Sequence, residues 1–183
     1  MEIATERLII RPLQLGDEPA FLPLYNTPEV HHPKSPKVPD VRQKELFHLL
    51  VQQPPLLSPF VVLAIANPMG ACIGLLFLTL HKVPKSRENL AVIGIVISDE
   101  WQGEGYGTEA CQPVLPFLFE ERRVTRVMMG CRKTNLSCQR MIEKLRLEPI
   151  PLYRRAALVA SGWVAPDELW YELLSTDKGT ISA

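Results

Sequence analysis

The stretch Gln102-Gly-Glu-Gly-Tyr-Gly-Thr108 places glycine at 103, 105 and 107, shortly after an apolar run that ends at Ile97. Without a Cβ, glycine lets backbone N–H groups crowd toward an anion, and a helix that starts there adds partial positive charge. Gln102, Gly103, Glu104, Gly105, Tyr106, Gly107 and Thr108 are therefore candidates to hold a phosphate or diphosphate. A tight strand-to-helix turn with no ligand would use the same residue types. Two familiar phosphate motifs do not match. No lysine follows any of these glycines, which excludes a P-loop. A dinucleotide fingerprint needs GxGxxG and an acidic residue about 20 positions on. Here the third glycine comes one residue early, and position 127 is valine.

Other reactive side chains are scattered. Cys72, Cys111, Cys131 and Cys138 form no CxxC pair and no zinc-type spacing, so they read as reduced thiols of a cytoplasmic protein without a metal site. His31-His32 sit in a proline-rich stretch and read as a solvated pair, while His81 reads as structural. Trp101 and Tyr106 flank the glycines, where packing on core or ligand is expected before chemistry.

The elements that must position these groups fit one domain, residues 1–183. Hydrophobic content of 46% with 22% charge suits a globular chain, and 20 basic residues balance 20 acidic ones. That balance gives no reason to expect nucleic acid or an anionic membrane as partner. No apolar run approaches the ~20 residues that span a bilayer, and the N-terminus lacks the layout of a secretory signal. Strands are expected at Arg7–Leu13, Phe60–Ala66, Cys72–Leu80, Leu90–Ser98, Val124–Cys131, Ile150–Val159 and Leu169–Leu174. Asn67-Pro-Met-Gly70 marks a hairpin turn. Helices are expected after Asp17, after Asp40, over Thr108–Arg122 and over Ser137–Leu145. Pro113 and Pro116 should kink or break the third of these. Four prolines in Pro28–Pro39 suggest a restricted loop.

Gln102-Gly-Glu-Gly-Tyr-Gly107 resembles the Q/R-x-x-G-x-G/A signature of the GNAT superfamily of acyl-CoA N-acyltransferases. Thr5-Glu-Arg-Leu-Ile-Ile-Arg-Pro-Leu13 with Asp17 is similar to the opening strand of its ribosomal-protein N-acetyltransferase (Rim-type) branch, as is Glu109-Ala110 after the glycines. Asn135-Leu-Ser-Cys-Gln-Arg-Met-Ile-Glu-Lys-Leu145 resembles that branch's N-x-x-S…EKLGF segment, and Tyr153-Arg-Arg155…Asp167-Glu-Leu-Trp-Tyr171 its closing hairpin. The match runs in order over roughly residues 3–174. It implies a mixed, mostly antiparallel α/β sheet of six or seven strands, flanked by helices and splayed at its centre. It also implies that the glycine turn holds the diphosphate of acetyl-CoA, and that Asn135 contacts the pantetheine arm or bridges a bulged strand. Strand amides near Ile95, Val96 and Ile97 would face the cofactor and stabilise an oxyanion.

Three departures bear on the chemistry. The family often carries a glutamate general base in a segment like AEIGY; here Ala91-Val-Ile-Gly-Ile95 puts Val92 there. Glu88, Asp99 and Glu100 are the acidic residues close by, with Glu88 the candidate base. Cys138 replaces the serine of N-x-x-S, with Ser137 adjacent. Its thiol could protonate the departing coenzyme A thiolate, or it is a small packed side chain. The segment from Ser137 contains no tyrosine to act as general acid. The expected function is acetyl transfer from acetyl-CoA to a primary amine, a peptide N-terminus or a small metabolite, by a monomer or homodimer. Two alternatives are a coenzyme A-binding regulatory or interaction protein that has lost catalysis, and a nucleotide-binding module. The missing P-loop lysine disfavours the latter.

Overall fold

Two long apolar runs joined by Asn67-Pro-Met-Gly70 set the frame of the computed structural model, which describes residues 2–27, 40–52, 58–82, 88–162 and 164–176. The proline-rich segment 28–39, with His31-His32, lies outside the described residues, as do 53–57 and 83–87. In chain order the elements are β1 (Ile3–Ala4), β2 (Ile9–Pro12), α1 (Glu18–Tyr25), α2 (Asp40–Gln52), β3 (Phe60–Ala66), β4 (Cys72–Lys82) and β5 (Asn89–Ile97). There follow α3 (Tyr106–Cys111), α4 (Val114–Glu120), β6 (Arg126–Arg132), α5 (Leu136–Lys144), β7 (Glu148–Pro149), α6 (Leu152–Ala160) and β8 (Glu168–Leu174). The eight strands form one sheet in the order β1-β2-β3-β4-β5-β6-β8-β7. Two of them, β1 and β7, have only two residues each.

The chain forms two compact units, Met1–Thr79 with Ile93–Pro113, and Leu80–Val92 with Val114–Ala183. In the first, β2, β3 and β4 pair antiparallel. Nearly every residue of β3 is buried, as expected of a strand covered on both faces. The β3–β4 turn closes on Asn67, whose Oδ1 accepts from the amides of Met69 and Ala71 at 3.0 Å each. Phe21 and Tyr25 of α1 stack at 5.2 Å, and Phe47 of α2 meets Phe21 at 5.1 Å, over Val62, Leu75 and Phe77. Asp17 stands at the α1 N-cap position without a side-chain cap bond. Its carboxylate instead accepts from the Arg11 guanidinium at 2.7 and 2.9 Å and from the Gln14 amide at 2.8 Å.

In the second unit β6 pairs antiparallel with β8 from Arg126↔Leu174 to Arg132↔Glu168. Gly130 is required there by close approach: a Cβ would lie 2.5 Å from the Trp170 ring. The expected helix over Thr108–Arg122 is interrupted between Cys111 and Val114, where Pro113 lacks the donor a continuous helix needs. Pro116 falls in the first turn of α4, where a missing N–H costs little.

One expected element has the wrong type. Ile150–Val159 is not a strand; Leu152–Ala160 is helix α6. Arg154, Arg155, Leu158 and Val159 are half-buried while the residues between are exposed, a spacing that belongs to a helix. Ala156-Ala157 adds strong helix propensity. The tail is therefore a helix followed by β8, not a hairpin, and β8 pairs with Glu148–Pro149 instead.

Candidate functional site

The apolar run of β5 ends at Ile97, and a single 3-10 turn, Asp99–Trp101, leads to Gln102. The Gln102 side chain folds back: its Nε2 donates to the Ile97 carbonyl at 2.9 Å and to Asp99 Oδ1 at 2.8 Å. Gly103 and Gly105 both have φ of +85°, a region L side chains rarely enter. Among the described residues, nothing lies within 4 Å of a Cβ built on Gly103, and only the Arg7 Nη2, at 3.8 Å, near one on Gly105. Conformation, not crowding, thus demands glycine at both. Glu104 lies between them, exposed. Gly105 is the N-cap residue of α3. The Glu109 amide bonds the Gly105 carbonyl at 3.1 Å, so the amides of Tyr106, Gly107 and Thr108 precede the first intrahelical bond. Upstream, Ile95 and Ile97 are half-buried, while Val96 packs in the core.

A second part of the chain is bonded to this turn. The Arg7 Nε donates to Glu109 Oε2 at 2.7 Å, the Arg7 amide to Glu109 Oε1 at 2.9 Å, and the Thr5 hydroxyl to Glu109 Oε1 at 2.6 Å. Arg7 Nη2 also donates to the Glu104 carbonyl at 3.1 Å, and its guanidinium lies 4.3 Å over the Tyr106 ring. Burial pushes the Glu109 carboxyl up, but the bonds from Thr5 and Arg7 outweigh it and hold the group below its ordinary value. In the sequence, Thr5, Arg7 and Glu109 stand out only as marks of resemblance. Two short motifs, Thr-Glu-Arg and Thr-Glu-Ala, contain them, but neither motif reveals that they meet.

In the second unit, Asn135 is the N-cap of α5, its Oδ1 accepting from the Cys138 amide at 3.0 Å. That bond gives Asn135 a local role in the helix start. Ser137 is exposed in the first turn and Cys138 half-buried. The Cys131 thiol of β6 is held below its ordinary range, foremost by a hydrogen bond with the Cys138 thiol, against burial and the Glu168 charge. Residue order alone does not mark Cys131 for a site; its only signal is a cysteine seven positions before Cys138. All four cysteines are thiols.

Val92 packs with Leu90, Leu158 and Val159 against Met128, Ile150, Val164 and Trp170. The position where relatives often carry glutamate is thus part of an apolar cluster that α6 helps to cover. Glu88 pairs with Arg126 at 3.4 Å; Arg126 also pairs with the buried Glu172, which Arg154 approaches to 2.6 Å. Asp99 and Glu100 shape the glycine turn, Asp99 through Gln102 and Glu100 Oε1 by accepting from the Ser98 hydroxyl at 3.3 Å. Among the described residues, no group of three His, Cys, Asp or Glu is placed to hold a metal ion. Among them, too, no helix is long and apolar enough to cross a membrane.

A mixed α/β sheet flanked by helices, with a strand–glycine turn–helix unit near its middle, defines the class. The model of the acetyltransferase (GNAT) domain matches residues 7–148, and the chain belongs to that family. It is 26% identical over 90 residues to the uncharacterized N-acetyltransferase YnaD of Bacillus subtilis (strain 168), covering 49% of this chain and 52% of that one. The match therefore spans about half the length of that curated relative. Among solved structures, a GNAT-family acetyltransferase from Bacillus anthracis superposes with a TM-score of 0.70 at 18% identity, covering 96% of this chain and 99% of that one. A variant of the spermidine N-acetyltransferase SpeG from Vibrio cholerae gives 0.72 at 17% identity, covering 98% and 100%. The ribosomal-protein-S5-alanine acetyltransferase of Vibrio fischeri gives 0.69 at 12%, covering 97% and 98%. At these identities the likeness is one of fold.

Proposed function

We propose that this protein is an acetyl-CoA-dependent N-acetyltransferase acting on a primary amine, with residues 1–183 as one catalytic domain in the cytoplasm. The observation that carries the proposal is the glycine turn: Gly103 and Gly105 at φ +85°, open space among the described residues beside Gly103, the Arg7 guanidinium beside Gly105, and three amides ahead of the first bond of α3. Such a cradle fits a diphosphate. Gln102 to Thr108 would hold that group, and Asn135 would meet the pantetheine arm.

When bound, acetyl-CoA supplies an activated acyl group. A neutral amine attacks the thioester carbonyl, the C–N bond forms and the C–S bond breaks. Amides of Ile95–Ile97 would stabilise the oxyanion. Cys138 would donate a proton to the departing thiolate, with Ser137 as the neighbouring hydroxyl, and Glu88 would take the proton the amine loses. Relatives titled for a spermidine and for a ribosomal-protein alanine acceptor support an amine acceptor, without choosing between a small amine and a peptide N-terminus.

The second reading, a coenzyme A-binding regulatory protein without turnover, is favoured by one feature: Val92 in its apolar cluster leaves no carboxylate at the family's position. The test is release of coenzyme A thiol from acetyl-CoA with polyamines, amino sugars, and peptides with free or blocked N-termini. Amine-dependent release supports the enzyme; binding of acetyl-CoA with no release across the panel supports the second reading.

A further inference from the structure

The glycine turn and the β1–β2 turn are about a hundred residues apart in sequence, yet one carboxylate joins them. Thr5 closes the β1–β2 turn: its amide donates to the Leu8 carbonyl at 2.8 Å, and its hydroxyl accepts from the Leu8 amide at 3.0 Å. That fixes where the Thr5 hydroxyl and the Arg7 amide point, and both converge on Glu109 Oε1. The Arg7 guanidinium binds the other oxygen, Oε2, through Nε and Nη2. Glu109 thereby has both oxygens occupied by a rigid two-strand turn, in the charge-assisted geometry that is strongest and most directional.

Arg7 goes further than Glu109. Its Nη2 reaches the Glu104 carbonyl, the peptide between the two left-handed glycines, and its plane covers Tyr106, which in turn meets Trp101 edge-on at 5.8 Å. A turn whose glycines carry no side chains has little packing of its own to hold it, and glycine loses the most entropy on ordering. The space beside the glycines is sparsely filled: among the described residues a Cβ on Gly103 would touch nothing, and one on Gly105 would meet only Arg7 Nη2 at 3.8 Å. Arg7 therefore contacts the turn at Glu104 and Tyr106, and bonds α3 through Glu109.

We propose that Arg7 is a positioning residue for the glycine turn, acting with Thr5 through Glu109 to hold the amides of residues 103–108 in the conformation that binds the acyl donor. The cofactor half of this rests on the function proposed above; the positioning half does not. Arg7 also neutralises the carboxylate of Glu109, which sits one helical turn beyond Gly105 and would otherwise oppose a diphosphate there.

The test uses the full chain with Arg7→Met, and Glu109→Gln as a second variant should the first fail to fold. In the free protein, amide exchange at residues 103–108 should quicken about tenfold or more, while exchange in the β3–β4 core stays at the parent rate. In turnover, KM for acetyl-CoA should rise about tenfold with kcat within about threefold of the parent. Parent-like exchange in the turn overturns the positioning. Quickened exchange with an unchanged KM overturns its link to the acyl donor. A parent that neither binds nor turns over acetyl-CoA sinks the proposed function instead, and the exchange measurement still decides the role of Arg7.

Discussion

The Gln102 side chain donates to the Ile97 carbonyl at 2.9 Å, so the residue that opens the glycine turn is pinned to the end of the strand before it. That bond closes the six residues from Ile97 to Gln102, and the second donor bond, to Asp99 Oδ1, closes the inner four. The family signature's glutamine thus has a structural role, because it sets the direction in which the chain leaves β5.

Replacing Gln102 with alanine should loosen this closure. Each exposed hydrogen bond of this kind contributes on the order of 1 kcal/mol, so acetyl-CoA affinity should fall about threefold to tenfold with little change in melting temperature. Calorimetry on Gln102→Ala checks it. Parent affinity in the variant would mean that the turn keeps its shape without the bond.

Glu109 has a pH signature. Its carboxyl is held below the ordinary 4.5 by Thr5 and Arg7, despite burial pulling the other way. A carboxylate depressed in the folded state contributes stability that is fully present above its unfolded pKa and is lost as pH falls through the folded one. Parent stability should therefore drop with acid below about 4.5, and Glu109→Gln should be less stable at neutral pH with a shallower acid drop. Urea unfolding of both proteins at several acidic pH values measures the two slopes. Equal slopes would mean that Glu109 contributes no such dependence.

Much of this was legible from residue order. The hairpin over Asn67-Pro-Met-Gly70, the break at Pro113 and the glycine turn each rest on local chemistry that a short window contains. Helix α6 was not legible. Tyr153, Leu158 and Val159 suit a strand, and short apolar runs do not distinguish the two periods; only the half-buried face of Arg154, Arg155, Leu158 and Val159 does. The Thr5–Glu109 bond, the Cys131–Cys138 contact and the ion pair of Glu88 with Arg126 are tertiary, and no local pattern encodes which partner each side chain meets.

Val92 offers a test of what replaced the family glutamate. In Val92→Glu a carboxylate would enter the cluster of Met128, Ile150, Val164 and Trp170. Val92 is half-buried, so the cost of partly desolvating the carboxylate should lower the melting temperature by about 2–5 °C. A variant as stable as the parent, with higher kcat, would show that the position is open to act as a base.

Cys138 should matter for turnover more than for binding. If its thiol protonates the leaving group, Cys138→Ala should lower kcat by about 10²-fold with KM for acetyl-CoA little changed, and Cys138→Ser should retain more activity. Equal kcat in parent and alanine variant would leave the cysteine as the packing partner of Cys131.

Acetyl-CoA is predicted to bind with its diphosphate on the amides of the glycine turn. A titration of the isotope-labelled protein with acetyl-CoA, followed by amide NMR, reads those amides directly without any substitution. Saturable shifts of Gly103, Gly105, Gly107 and Thr108, reproduced by coenzyme A but not by ATP at the same concentration, are the predicted result. Absence of binding, or saturation by acetyl-CoA with these four amides unmoved, would contradict it.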